Sequence, residues 1–353
     1  MRNKLLYFHP GLSSFVKKDI EILQSEYDVK VNYFKLTSKI LLFKEFLKQI
    51  FFILSNSKQV EFFIIQFGGY HSLIPVLFAR LLSKKSIIVL GGTDCVSFPS
   101  INYGGFNNYL MRPFLKLSYK YAYKLVPVDE SLILCNYTYQ PNDFSKQGVQ
   151  FHYPNCKTNF QTIYNGYDSE LWYNSVDSKE ENSFVTVGAN LFSRFGVQLK
   201  GIDLLLEVAP HFPNCKFYIV GGKGLDQNYQ VSENLILVDA IPNEQLSEFI
   251  SSKQFYLQLS LNEGFPNGLC EAMLCECIPI VSNVGAMPMI TNDIGLILKQ
   301  KDAVKLIEII SKALSIENKK ELGLKSRDII QNNFPFERRK KELLTLLKAE
   351  SRD

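Results

Sequence analysis

The sequence has little with which to build a metal centre, a disulfide framework or a membrane span. Four histidines and seven cysteines are spread over 353 residues. The cysteines (95, 135, 156, 215, 270, 275 and 277) are odd in number and make no C-x-x-C pair and no zinc-type spacing. Reduced, mostly buried thiols in a cytoplasmic protein are therefore expected. The longest apolar runs, IFFIL at 50–54 and FFII at 62–65, fall far short of the roughly 20 residues that a spanning helix needs. At the N-terminus a short apolar run ends at His9, Pro10 and Gly11, which suits a first buried strand rather than a signal peptide. There is no low-complexity tract and no short-period repeat. With 46% hydrophobic and 21% charged residues the chain reads as globular throughout.

The length exceeds one ordinary core and favours two domains. Net charge is +4, but a division at Asn165 and Gly166 leaves 19 basic and 10 acidic residues before it and 20 and 25 after it, a balance of +9 against −5. A solvated basic face accounts for such asymmetry, and so does a first half that faces something anionic. In that half KLLYF, VKVNYF, EFFIIQF and SIIVLGG read as strands, separated by amphipathic stretches at about 15–27, 37–54 and 71–82. The pattern restarts after the polar stretch 165–183. There SFVTVGA, CKFYIVGG, NLILVD, QFYLQLS, CIPIVSN and GLILK read as strands, with helices at 201–209, 243–251, 268–276 and 302–314. Continuous β-branched and aromatic strands between helices imply parallel sheets covered on both faces. The expected division is 1–165, 166–330 and a C-terminal helix at 331–353. In such sheets ligands bind beyond the carboxyl ends of the strands, so the loops there hold the candidate chemistry.

The most informative stretch is LNEGFPNGLCEAMLCECIPIVSNVGAMP at 261–288. A strand ends near Ser260, a turn with Gly264, Pro266 and Gly268 exposes backbone N–H groups, and a helix starts around Asn267. The N-terminus of such a helix binds phosphate through unpaired amides and the positive end of its dipole. Glu263 and Glu271 flank the turn, and carboxylates suit polyols because they accept hydrogen bonds from adjacent hydroxyls. The same residues, Glu263, Gly264, Phe265, Pro266, Glu271, Ala272, Met273 and Pro279, resemble the signature of the retaining glycosyltransferases of family 4, glycosyl transferases group 1 with the GT-B fold.

The resemblance implies two Rossmann-like doubly wound domains facing a central cleft, the first on the acceptor side and the second holding a UDP- or GDP-sugar, with the C-terminal helix packing back on the first. It implies transfer of the sugar to an acceptor hydroxyl with retention, no metal and no further cofactor. Its KGxxxLL block is matched at Lys200, so Lys200 is expected on the donor diphosphate. Arg194 is a second candidate cation, since the family's usual Arg position is occupied here by Ala189 and Asn190. Gly11, Gly188 and Gly222 mark loops where backbone approaches phosphate or nucleotide, and Ile241 and Pro242 correspond to the segment that meets the base. The donor set is completed by Gly264, Phe265, Pro266, Asn267, Gly268 and Glu271, and the catalytic candidates are Glu263, Lys200, Arg194, Asp94 and His71. Asp94 stands where many relatives carry a His, either as a substitute acceptor or weak base or as a turn residue. His71 is the other candidate, or a helix-capping, partly buried histidine.

Two rival readings are a GT-B sugar-nucleotide epimerase and a non-catalytic subunit that binds nucleotide sugar. Lys35, Lys39, Lys44, Lys48 and Lys58 recur among Leu41, Leu42, Phe43, Phe46, Leu47, Phe51 and Phe52, more apolar surface than one core-facing stripe needs, so part of it is expected to lie outward. Arg112, Lys116, Lys120 and Lys124 follow at four-residue spacing, hence on one expected helical face. The expected partners are thus a glycan or lipid-linked acceptor and an anionic membrane surface at the cytoplasmic leaflet, with no nucleic acid, in surface polysaccharide or glycolipid assembly. A soluble acceptor with ordinary core aromatics is the plainer alternative.

Overall fold

The computed structural model describes residues 3–35, 41–188 and 191–351. The positions Ala189 and Asn190, and Lys39 among the lysines noted above, lie outside the described residues. The chain divides into two compact units, one made of 1–136, 146–165 and 337–353, the other of 137–145 and 166–336. Two boundaries differ from the sequence reading. Residues 137–145 belong to the second unit, and that unit runs to Phe336 instead of 330.

The first unit is built from β1 (Lys4–His9), α1 (Ser14–Gln24), β2 (Asp28–Tyr33), α2 (Leu42–Asn56), β3 (Val60–Gln66), α3 (Tyr70–Leu81), β4 (Lys85–Leu90), α4 (Arg112–Tyr121) and β5 (Lys124–Pro127). Short pieces follow: β6 (Cys135–Asn136), β7 (Lys146–Gln147), α5 (Val149–His152) and β8 (Asn159–Phe160). Its sheet runs β2-β1-β3-β4-β5-β8, and every pairing in it is parallel. Val60–Gln66 is buried nearly throughout, as a central strand covered on both faces must be. The crossovers α2, α3 and α4 join successive strands and pack side by side in one layer.

The second unit holds β9 (Glu180–Val187), α6 (Gly196–Leu199), α7 (Ile202–Val208), β10 (Lys216–Val220), β11 (Leu235–Val238), α8 (Asn243–Ser251) and β12 (Lys253–Gln258). It continues with α9 (Asn267–Leu274), β13 (Ile278–Ser282), α10 (Met287–Thr291), β14 (Leu296–Leu298), α11 (Ala303–Leu314) and α12 (Lys319–Asn333). The strand order is β11-β10-β9-β12-β13-β14, again parallel in every pair. Its core stacks Phe184 between Phe217 and Phe255, with centroids 4.8 Å apart on either side. The inserted segment 137–145 is fastened to the end of β12: the Tyr137 hydroxyl donates to the Leu261 carbonyl at 2.9 Å, and Tyr139 to that of Leu259 at 3.4 Å.

The last helix, α13 (Phe336–Glu350), belongs to the first unit. There the buried Arg339 guanidinium reaches both carboxylate oxygens of Asp19 on α1, at 2.7 and 2.6 Å. The same guanidinium donates to the carbonyls of Ile163 and Tyr164 at 3.1 and 2.9 Å. At the other end of α13 the Glu350 carboxylate receives Tyr123 and Lys124, and Lys85 donates to its backbone carbonyl at 2.6 Å; Lys124 opens β5 and is paired there, so the expected basic helical face ends at Lys120.

Candidate donor-binding and catalytic site

In the second unit β12 ends at Gln258, and the chain then turns through Glu263, Gly264 and Phe265 into α9, with Pro266 at the N-cap. The Glu263 carboxylate is fixed by three donors on one oxygen: Lys200 Nζ at 2.6 Å, Ser260 Oγ at 2.9 Å and Gln258 Nε2 at 3.0 Å. Both members of the Lys200–Glu263 pair keep partial exposure, so a ligand can reach them. Lys200 is placed by the join between α6 and α7. Its neighbour Gly201 has φ +70°, and a Cβ there would lie 2.2 Å from the Leu259 carbonyl oxygen. Only glycine permits that approach, which lets the Leu261 amide donate to the Leu199 carbonyl at 2.8 Å and sets Lys200 over the end of β12.

A second glycine, Gly285, supports the turn from the β13 side. With φ +55° it brings its Cα against Glu263, where a Cβ would overlap the Glu263 carbonyl oxygen at 1.9 Å. The Ala286 amide next to it donates to the Gly264 carbonyl at 3.2 Å. Gln258, Ser260, Gly201 and Gly285 were not singled out from the sequence. The last two stand inside the blocks that were, and their glycine identity was the available signal.

The remaining residues around the turn divide by what they touch. The Phe265 ring is buried, stacked on Tyr167 and edge-on to Phe334, so it braces the turn and its side chain does not face the opening. Asn267 Oδ1 accepts the Tyr167 hydroxyl at 2.7 Å. Glu271 lies one helical turn further along the same face, half-buried. Gly268 rides on the Tyr256 hydroxyl, which a Cβ would meet at 2.5 Å. The amides of the first turn of α9 have no intrahelical acceptor, which gives this end of the helix its capacity for anions.

Beyond the ends of β9, β10 and β11 lies a cavity of about 630 Å³ lined by Gly188, Phe192, Ser193, Gly221, Lys223 and Asp239, among others. Its floor exists because Gly221, at φ +80°, packs against the Gly188 carbonyl, where a Cβ would stand 2.6 Å away. Gly222 does not line the cavity. Its amide turns back to Val238 and Ile219, so of the two glycines at this turn Gly221 lines the cavity. Ile241 and Pro242 follow the lining residue Ala240 and lead into α8. Arg194 is exposed in the turn between the lining residues Ser193 and Phe195. That turn runs directly into α6 and Lys200, so cavity and ion pair are joined by one short segment.

Gly11, His71 and Asp94 lie in the first unit. Gly11 follows β1 with open space around its Cα. Asp94 is buried, and its carboxylate accepts the amides of Gly68, Gly92 and Gly91 at 2.8, 3.0 and 3.2 Å. Burial pushes its carboxyl up, and the three amides oppose that shift. So held, Asp94 ties the loop after β3 to the loop after β4. His71, in the first turn of α3, is buried, with Nε2–H donating to the Gln66 carbonyl at 2.8 Å. Burial holds its pKa down to about 4, against the raising effect of that hydrogen bond. A histidine neutral in the folded state and protonated below 6.5 when unfolded stabilises fully above 6.5. That contribution is lost as pH falls towards 4. His152, held down to about 4 by burial, Arg112 and Lys116, acts in the same window. Urea denaturation between pH 7 and 4 should therefore show a fall on the order of 3 kcal/mol from His71. His71→Gln should flatten the slope, and an unchanged slope in that variant would assign the loss elsewhere.

Residues 178–333 match the family described as Glycosyl transferases group 1. A stretch of 132 residues is 28% identical to a phosphatidylinositol N-acetylglucosaminyltransferase subunit from Arabidopsis thaliana, covering 34% of this chain and 29% of that protein. The human protein of the same name is 27% identical over 130 residues, 33% of this chain and 27% of that protein. The matched stretch thus spans under a third of these relatives' length. Among solved structures, sucrose-phosphate synthase from Thermosynechococcus elongatus superposes with a TM-score of 0.75 at 15% identity, covering 99% of both chains. Anabaena HepE in complex with UDP gives 0.73 at 12% identity, covering 98% of this chain and 100% of that one. The fold is GT-B, and residues 178–333, somewhat less than half of the chain, are similar to the glycosyl transferases group 1 domain.

Proposed function

We propose that this chain transfers a sugar from a UDP- or GDP-sugar to an acceptor hydroxyl, retaining the anomeric configuration and using no metal or other cofactor. The observation that carries the reading is the Lys200–Glu263 pair, held by Gln258 and Ser260 beside the N-terminus of α9. Loss of a nucleoside diphosphate leaves negative charge on the leaving phosphate. A fixed ammonium and a row of helix amides stabilise that charge without reorganising. Glu263 then orients Lys200 and presents its second oxygen to a sugar hydroxyl, while Glu271 is suited to a ribose. Gly188, Gly221 and the segment through Ile241 and Pro242 supply the nucleotide's seat, with Arg194 near its phosphates. The relatives named for phosphatidylinositol N-acetylglucosaminyl transfer favour an acceptor in a glycolipid or surface-polysaccharide pathway at the cytoplasmic face of a membrane.

Thermal unfolding with a panel of UDP- and GDP-sugars tests the reading. One donor should raise the midpoint, since ligand at about 100 times Kd stabilises by about 2.7 kcal/mol. The shift should survive chelation, and the same donor should release its nucleotide only when acceptor is added. A sugar altered without acceptor favours an epimerase. Stabilisation with no turnover under any acceptor favours a non-catalytic subunit.

A further inference from the structure

Helix α2 carries large apolar side chains on its outward face as well as its inward one. Its buried side chains include Glu45 and Gln49, with Ile53, whereas Phe43, Leu47, Phe51 and Leu54 are exposed. The two phenylalanines leave 70% and 74% of their surface in contact with solvent. The spacing of the exposed four places them on one stripe, running about 17 Å along the axis at the α-helical rise. The orientation is fixed by polar contacts: Gln49 Nε2 donates to the His71 carbonyl at 3.0 Å, and Lys48 pairs with Glu45 at 2.6 Å. Phe46 and Phe52 fill the inward side against Phe34 and Phe8. The outward stripe is therefore surplus to the core. In the same helical layer Leu81 at the end of α3 is 75% exposed, and Leu117 on α4 is exposed as well.

The charge on this layer has one sign. Lys44 and Lys48 flank the stripe, Arg80 and Lys84 follow at the end of α3, and Lys116 and Lys120 lie on α4. The only carboxylate within α2, α3 and α4 is Glu45, which is buried and paired. A protein partner or a second copy would have to bring acidic groups in register with these cations, while an anionic lipid surface meets them at any register. Lysine stems also cover apolar surface while their ammonium groups stay at headgroup level. Among the described residues no helix is long and apolar enough to cross a membrane, so the stripe can lie in an interface but not span it.

We infer that the outer face of α2, with the ends of α3 and α4, docks on the headgroup layer of an anionic bilayer, Phe43 and Phe51 entering the acyl boundary. This stands on the surface alone and does not depend on the chemistry proposed for the second unit. The test is flotation of the full chain with vesicles of phosphatidylcholine, with and without phosphatidylglycerol, at low and high salt. Wild type should float with the anionic vesicles and be released by salt. Phe43→Ser with Phe51→Ser should lower the bound fraction about tenfold or more. Lys44→Glu with Lys120→Glu should do the same at low salt. Because the substituted side chains are exposed, the unfolding midpoint should hold. Failure of wild type to float, or unchanged flotation of the phenylalanine variant, overturns the inference. So does a dimer in solution that this variant converts to monomer, which would make the face an interface between copies.

Discussion

Glu263→Gln and Lys200→Ala are each expected to lower turnover by about 100-fold or more with the fold intact. Lys200 reaches Glu263 at 2.6 Å and has no other hydrogen-bond acceptor among the described residues, so neutralising the carboxylate loosens the ammonium that we propose meets the leaving phosphate. Gln258 and Ser260 would still hold a glutamine at 263 in place, which keeps the turn but removes its charge. The loss should fall on kcat more than on KM, because charge on the leaving group grows towards the transition state. Steady-state kinetics with circular dichroism on each variant checks this. Near-normal turnover in either removes that residue from the proposed chemistry.

The largest stability effect is expected at Arg339. It and Asp19 are 4% and 2% exposed at the side chain, and Arg339 also satisfies two carbonyls, those of Ile163 and Tyr164. Arg339→Ala leaves a buried carboxylate without its cation, a change that ordinarily destabilises by about 3–5 kcal/mol. Joint replacement, Arg339→Met with Asp19→Leu, should recover much of that loss, since the pair itself is of small net worth once its desolvation is counted. Urea denaturation of both variants measures it. A loss under about 1 kcal/mol in Arg339→Ala would contradict the anchoring of α13 through this pair.

Much of this architecture was legible in the sequence where one physical signal dominates. The runs around Val60–Gln66 and Phe184–Val187 are too continuously apolar to be anything but buried strands. The turn at Glu263–Asn267 announces itself through Gly264, Pro266 and the helix that follows. What was not legible depends on partners distant in the chain. Gln258 and Ser260 look like ordinary strand-end residues until the fold sets them under Glu263. Residues 137–145 carry no local mark of belonging to the second unit, because their anchors are carbonyls at Leu259 and Leu261. Helix periodicity in α2 revealed two faces, and only the bonds of Gln49 and the packing of Phe46 decide which of them turns inward.

Proton NMR of the anomeric region during turnover reaches the chemistry proposed for Glu263 and Lys200 most directly. With its donor and acceptor, the wild-type protein should convert an α-linked nucleotide sugar into an α-linked glycoside, with one nucleoside diphosphate released per bond formed. Glu263→Gln under the same conditions should leave the donor essentially unconsumed. A β-linked product, or donor consumed with no new glycosidic bond, would contradict the account.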